Sequence, residues 1–374
     1  MQKLIDQAIE KYNLGLFQEA IDSANLIIKK FPKHFVGYKI RGVILNKTYQ
    51  PELALLDLLR AAHLNPSDHE NLNNIAVYYY GQKDNLNALN YIKKAIQINK
   101  TNSTYWTNAG NIYYESKEYN ISKEAYLKAI SIDPSNERAN IHIAQPIAFL
   151  ESIEAAEKQI IKYLEEKNII ALEIIGNICY KKNIFNSALM YFKIGYYDCK
   201  SISSAINIGK IYNDQLKYKE AYDILNEIKF DKQIYLVYDQ FITNYLTACT
   251  HFGKFKEALS IVDIKFANQK DLVFAALAGL YYKIGEIGTS INYYEKSIQL
   301  NKINWMVRSN YLFTLSHLLN KTPEELYKLH IRFGEDVNKE IKQNLITKKR
   351  KTIERNSFIN IGFMSADFKE HAAM

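Results

Sequence analysis

Pro32, Pro66 and Pro134 are separated by one and then two steps of 34. A chain that repeats at such an interval is constrained before any other feature is weighed. Each unit must bury its apolar face against the next, because one unit of this size has no core of its own. The clearest unit is STYWTNAGNIYYESKEYNISKEAYLKAISIDPSN, residues 103–136. Trp106, Ala109, Gly110 and Tyr113 fall on a first helix, Ser122, Tyr126 and Ala129 on a second, and Pro134 closes the unit. Gly42, Ala76 and Gly110 in the first helix, and Ala20, Ala54 and Ala88 in the second, let two antiparallel helices approach closely, while large residues fill the gaps. Proline then stops the second helix.

This spacing of large, small and aromatic residues resembles the tetratricopeptide repeat. Steps of 34 give units 1–34, 35–68, 69–102 and 103–136 without a gap. Later units keep the pattern at Leu172, Gly176, Ala188 and Phe192, and again at Ala205, Gly209, Tyr212 and Ala221. HFGKFKEALSIVD and KIGEIGTSINYYEKSIQLN carry further turn-plus-helix signatures. The expected organisation is a repeat array over residues 1–304 with about nine units, its register open over 229–245. A degenerate repeat and linker helix over 305–356 and a short final segment over 357–374 follow. The resemblance implies an all-α, right-handed superhelical solenoid whose concave surface, lined by the first helix of each unit, holds proteins or extended peptides.

Composition adds exclusions. Gly and Pro number only 14 and 6, which argues against an all-β fold. A net charge of +8 from scattered lysines makes a weak case for nucleic acid. KKRK at 348–351 reads as a solvated basic connector, since no aromatic residues interleave with it. No apolar run reaches the length of a membrane span. The start MQKLIDQAIEKY carries Asp6 and Glu10 on an amphipathic pattern, so neither a signal nor a transit peptide is expected there. Cys179, Cys199 and Cys249 suit a reducing compartment, so a cytoplasmic location is expected. The histidines show no metal spacing, and no glycine-rich phosphate loop occurs, so neither a metal nor a bound cofactor is expected in this chain.

The sixth position of the first helix carries Asn74, Asn108, Asn207, Asn244 and Asn310. An amide both donates and accepts hydrogen bonds, so a row of them can hold a peptide main chain whatever its side chains. Solvated polar residues in an Asn-rich chain are the plainer alternative. Cys179 and Cys249 fall at the eleventh position, which faces the core.

After the repeats, TPEELYKLHIRFGEDVNKEI starts a fresh helix, with Thr322 as cap, Pro323 in the first turn and Glu325 completing a capping box. Phe358, Ile359, Ile361 and Phe363 then alternate as a strand, with SADFKEH as the loop leaving it. Repeats, a helix of this kind and GFMSADFKEH, in that order, resemble the O-linked N-acetylglucosamine transferase and SPINDLY family, its bacterial SPINDLY-like members most of all. Gly362, Phe363, Ser365, Asp367, Phe368 and His371 match the motif that opens that family's two-lobed, Rossmann-like glycosyltransferase domain. The resemblance implies an active-site position for His371, a nucleotide-sugar donor of the UDP-N-acetylglucosamine or GDP-fucose type, and Ser or Thr hydroxyls of acceptor proteins as targets. The donor-binding residues of the family have no counterpart in this sequence, so the chain alone is expected to be inactive. The strand is then expected to be the first of a sheet whose remaining strands are not in this chain, and the last 15 or so residues are expected to be poorly ordered or docked non-natively on the preceding helix. A stand-alone repeat adaptor that assembles other proteins is the alternative.

Overall fold

Most of the described helix pairs start from a capped turn. In the computed structural model, which describes residues 1–48, 51–231, 234, 238–262, 271–318 and 321–345, Asp68, Asn102 and Asn136 recur at the interval of the prolines. Their side chains accept from the backbone N–H of Asn71, Thr104 and Ala139. Asn168, Ser201 and Asn304 do the same for later helices. Just before each of the first three, Asn65, Asn99 and Asp133 accept from the amides of Ser67, Thr101 and Ser135. Each turn between units therefore satisfies the amides that a helix start leaves orphaned.

The helices of the first compact unit, Met1–Ile261, follow one another in pairs. They are α1 Gln2–Asn13 with α2 Phe17–Lys30, α3 Phe35–Lys47 with α4 Pro51–Leu64, α5 His69–Gly81 with α6 Asn85–Ile98, and α7 Ser103–Glu115 with α8 Tyr119–Ile132. The fifth pair is broken on both sides: α9 Glu137–His142 and α10 Ala144–Leu150 face α11 Ile153–Gln159 and α12 Ile161–Glu165. Then come α13 Ile169–Lys181 with α14 Phe185–Lys193 and a π-helical turn Ile194–Asp198, α15 Ile202–Asp214 with α16 Tyr218–Ile228, and α17 Tyr238–Phe252 with α18 Phe255–Val262. The first helix of each of the first three pairs touches its partner and the first helix of the next pair.

Within most of these pairs the hairpin closes the same way. The N–H of Asp84 reaches the carbonyl of Tyr79, and that of Glu118 the carbonyl of Tyr113. Ile184 to Cys179, Lys217 to Tyr212 and Lys254 to Cys249 repeat this closure. The residue before each donor is left-handed: Lys83, Lys117, Asn183, Leu216 and Gly253, with φ between 60° and 80°. Glycine takes that conformation freely, whereas a side chain is strained there.

The helices of a pair meet at a small residue. A β-carbon on Gly42, Gly110, Gly176 or Gly209 would lie 2.6–2.8 Å from Leu58, Tyr126, Phe192 or Leu225, each 16 positions further on. Ser122 donates to the carbonyl of Gly110 at 2.8 Å, bringing a polar group into the same seam. Cys179 and Cys249 are fully buried, in the core their repeat position implied.

Pro146 explains the break between α9 and α10. Proline has no N–H for the carbonyl four residues back, and its ring crowds that carbonyl. The carbonyl belongs to His142, and the helix divides at Ile143 directly after it.

The second compact unit, Val262–Met374, contains α19 Asp271–Lys283 paired with α20 Ile287–Leu300, then α21 Trp305–Leu315 and α22 Pro323–Leu345. Ser290 donates to the carbonyl of Ala278 at 2.7 Å, as Ser122 does to Gly110. Arg308 pairs with Asp336 at 2.7 Å and lies over the rings of Trp305 and Phe333, which fastens α22 to α21. The capping box read from TPEE is present: the Thr322 N–H donates to Glu325 Oε2 at 2.8 Å, and the Glu325 N–H to Thr322 Oγ1 at 3.2 Å. The described residues are helices, turns and connections without a strand. The strand at 358–363, the motif residues and His371 lie outside the described residues.

Candidate peptide-binding surface

The sixth position of each first helix can be followed through the units. In α5 it is Asn74, half-buried and with no side-chain hydrogen bond among the described residues. In α7 it is Asn108, also half-buried, whose Nδ2 donates to Asn73 Oδ1 at 2.8 Å. That bond crosses between units and leaves Asn108 Oδ1 uncommitted. Asn207 in α15 is half-buried and unbonded, like Asn74. Asn244 in α17 donates from Nδ2 to the Gln240 carbonyl at 2.8 Å, while its own carbonyl accepts from Asn213 at 2.9 Å. Asn310 is an exposed residue of α21 in the second unit.

The structure therefore brings these residues together as two pairs, on the touching helices α5 and α7 and on the touching helices α15 and α17. Between the pairs, α9 presents His142 and α13 presents Ile174, which is only 6% exposed. His142 was legible and missed. It follows Asn108 at the interval that separates Asn108 from Asn74, but a pattern restricted to asparagine passes over it. Its Nδ1 is buried without a hydrogen-bond partner, and its ring centroid lies 6.4 Å from that of Tyr126. Burial, and then the positive charge of Arg138, hold this imidazole below the ordinary histidine pKa.

Around His142 lies a cavity of about 350 Å³, walled by α7, α9 and the start of α13. Thr104, Asn108, Asn111, Arg138 and Ile170 contribute to its lining. Asn111 Oδ1 accepts from the Tyr126 hydroxyl at 2.6 Å, which fixes the amide and leaves its NH₂ free to donate. Arg138 is exposed and has no ion-pair partner among the described residues. Among the described residues, no group of three or more His, Cys, Asp or Glu side chains is placed to hold a metal ion. No described helix is long and apolar enough to cross a membrane.

Residues 69–102, 103–136 and 273–304 match the family profile described as tetratricopeptide repeat. Those three stretches are tetratricopeptide repeats. They correspond to α5 with α6, α7 with α8, and most of α19 with α20, and the same closures recur in α13 with α14, α15 with α16 and α17 with α18. The chain is 30% identical over 129 residues to tetratricopeptide repeat protein 6 of Homo sapiens, covering 34% of this chain and 25% of that protein. Over 289 residues it is 26% identical to a TPR repeat-containing protein of Methanocaldococcus jannaschii, covering 72% and 49%. The chain thus spans between a quarter and a half of the length of these curated relatives. Among solved structures it is similar to pilF of Pseudomonas aeruginosa, with a TM-score of 0.45 and 16% identity over 53% of this chain and 91% of that one.

Proposed function

We propose that the face formed by the first helices of the repeats holds an extended polypeptide by its main chain, as a scaffold for protein assembly. The observation that carries this reading is the state of Asn74 and Asn207. Both are half-buried, so their amides are held in place, yet neither spends a hydrogen bond within the described residues. A polypeptide in extended form offers a carbonyl and an N–H at every residue, which is what such amides complement. Binding of labelled peptides, read by fluorescence anisotropy, tests it. Replacing Asn74, Asn108 and Asn207 together with Ala should weaken binding by about tenfold or more, given roughly 1 kcal/mol per hydrogen bond. Unchanged affinity in a variant of unchanged helicity removes the amides from the mechanism.

A second reading makes the array the acceptor-holding part of a protein O-glycosyltransferase. It is favoured by the capping box of α22, followed in sequence by the motif from Gly362 to His371. The sugar would come from a nucleotide donor, and three cysteines without a disulfide favour a cytoplasmic setting. The protein isolated from its own cells should then transfer a labelled sugar from UDP-N-acetylglucosamine or GDP-fucose to Ser or Thr of an acceptor. No transfer from either donor leaves the scaffold reading alone.

A further inference from the structure

We propose that the cavity at the broken fifth pair binds a carboxylate of the polypeptide held on this face, with Arg138 and Asn111 as its donors. This rests on the reading of the face as a peptide-binding surface. Four observations converge on it.

Pro146 interrupts the helix just past His142, and the imidazole contributes to the lining of the cavity. Asn111 has its oxygen occupied by Tyr126, so what it offers the cavity is its NH₂. Arg138 brings a guanidinium with no ion-pair partner among the described residues, and it lies near enough to His142 to disfavour its protonated form. The acid next to it, Glu137, already accepts from Asn168 at 2.7 Å. The cavity therefore offers amide and guanidinium donors around one positive charge. That balance suits a singly charged acceptor with two oxygens better than an amide or a doubly charged phosphate. Ile170 adds an apolar wall against which the stem of an acidic side chain can lie.

The carboxylate has two sources in a polypeptide, an internal Asp or Glu and the free C-terminus. Short labelled Gly-Ser peptides with one central Glu or Gln, each with an acid or an amidated C-terminus, separate them. The expected result is that a carboxylate raises affinity by about tenfold, and that Arg138→Gln abolishes the difference. A preference for Glu in amidated peptides assigns an internal side chain, and a preference confined to free acids assigns the terminus. Equal binding of all four, lost in the variant carrying Asn74→Ala, Asn108→Ala and Asn207→Ala, overturns the carboxylate pocket and leaves the peptide-binding surface standing. A preference that survives Arg138→Gln also overturns it. Binding of none of the peptides removes both.

Discussion

Tyr126 lies across Gly110, so that a β-carbon built on the glycine would stand 2.7 Å from the ring carbon Cε1. The tyrosine is fully buried, and its hydroxyl is fixed by Asn111 on the same helix as Gly110. The ring therefore cannot swing aside. Gly110→Ala should destabilise the protein by about 1–3 kcal/mol, the range for overpacking. Gly279 lies in the interior of α19, and a β-carbon added there would meet nothing within 4 Å. At that position Gly→Ala should stabilise by roughly 0.5–1 kcal/mol by removing backbone freedom from the unfolded chain. Urea titrations of both variants check the opposite signs; a stabilised Gly110→Ala would contradict the packing described.

Lys117 is exposed and left-handed, with φ of 63°, in the hairpin between α7 and α8. The strain of a side chain there outweighs the entropy that glycine adds to the unfolded state. Lys117→Gly should raise stability by about 0.5–1 kcal/mol, measured the same way. Lower stability in the variant would mean that the turn does not hold the left-handed form.

His142 sits below the ordinary histidine pKa through burial and the charge of Arg138. The unfolded chain then binds a proton more readily than the folded one, so stability is full above the ordinary value of about 6.5 and declines as pH falls through it toward the lower folded value. Thermal unfolding of the native protein and of His142→Asn across that range should show a shallower pH slope in the variant. Identical slopes would place the dependence elsewhere.

Burial raises the thiol of Cys179 to about 11 and, more than any other influence, that of Cys249 to about 12. The thiolate is the reactive form, and both groups are covered. Cys199 is only half-buried, with its Sγ 3.4 Å from the carbonyl of Lys167. Iodoacetamide at neutral pH should modify Cys199 first in the folded protein and all three cysteines only after unfolding. Early modification of Cys249, read by peptide mass mapping, would argue against its burial.

The recurring interval made the helix pairs legible because the close approach at Gly42, Gly110 and Gly176 permits few residue types. The buried thiols and the capping box at Thr322 were legible for a related reason, each being a side chain tied to a structural need. The left-handed lysines were not. Nothing in a lysine signals a positive φ; the closure around Lys83 and Lys117 imposes it. The cavity at His142 was hidden for a different reason. It arises from Pro146, a proline off the period, acting on a position where imidazole stands in the place of an amide.

Among the described residues, most contacts between helix pairs join units that are neighbours in the sequence. A gene encoding such a chain can gain or lose a stretch of whole-unit length in frame, and the product needs to rebuild only the two faces at the junction. An insertion of any other length within a helix would set a ring opposite a ring where one partner has to be small. The reading frame of the protein, rather than that of the codons, would be what is broken.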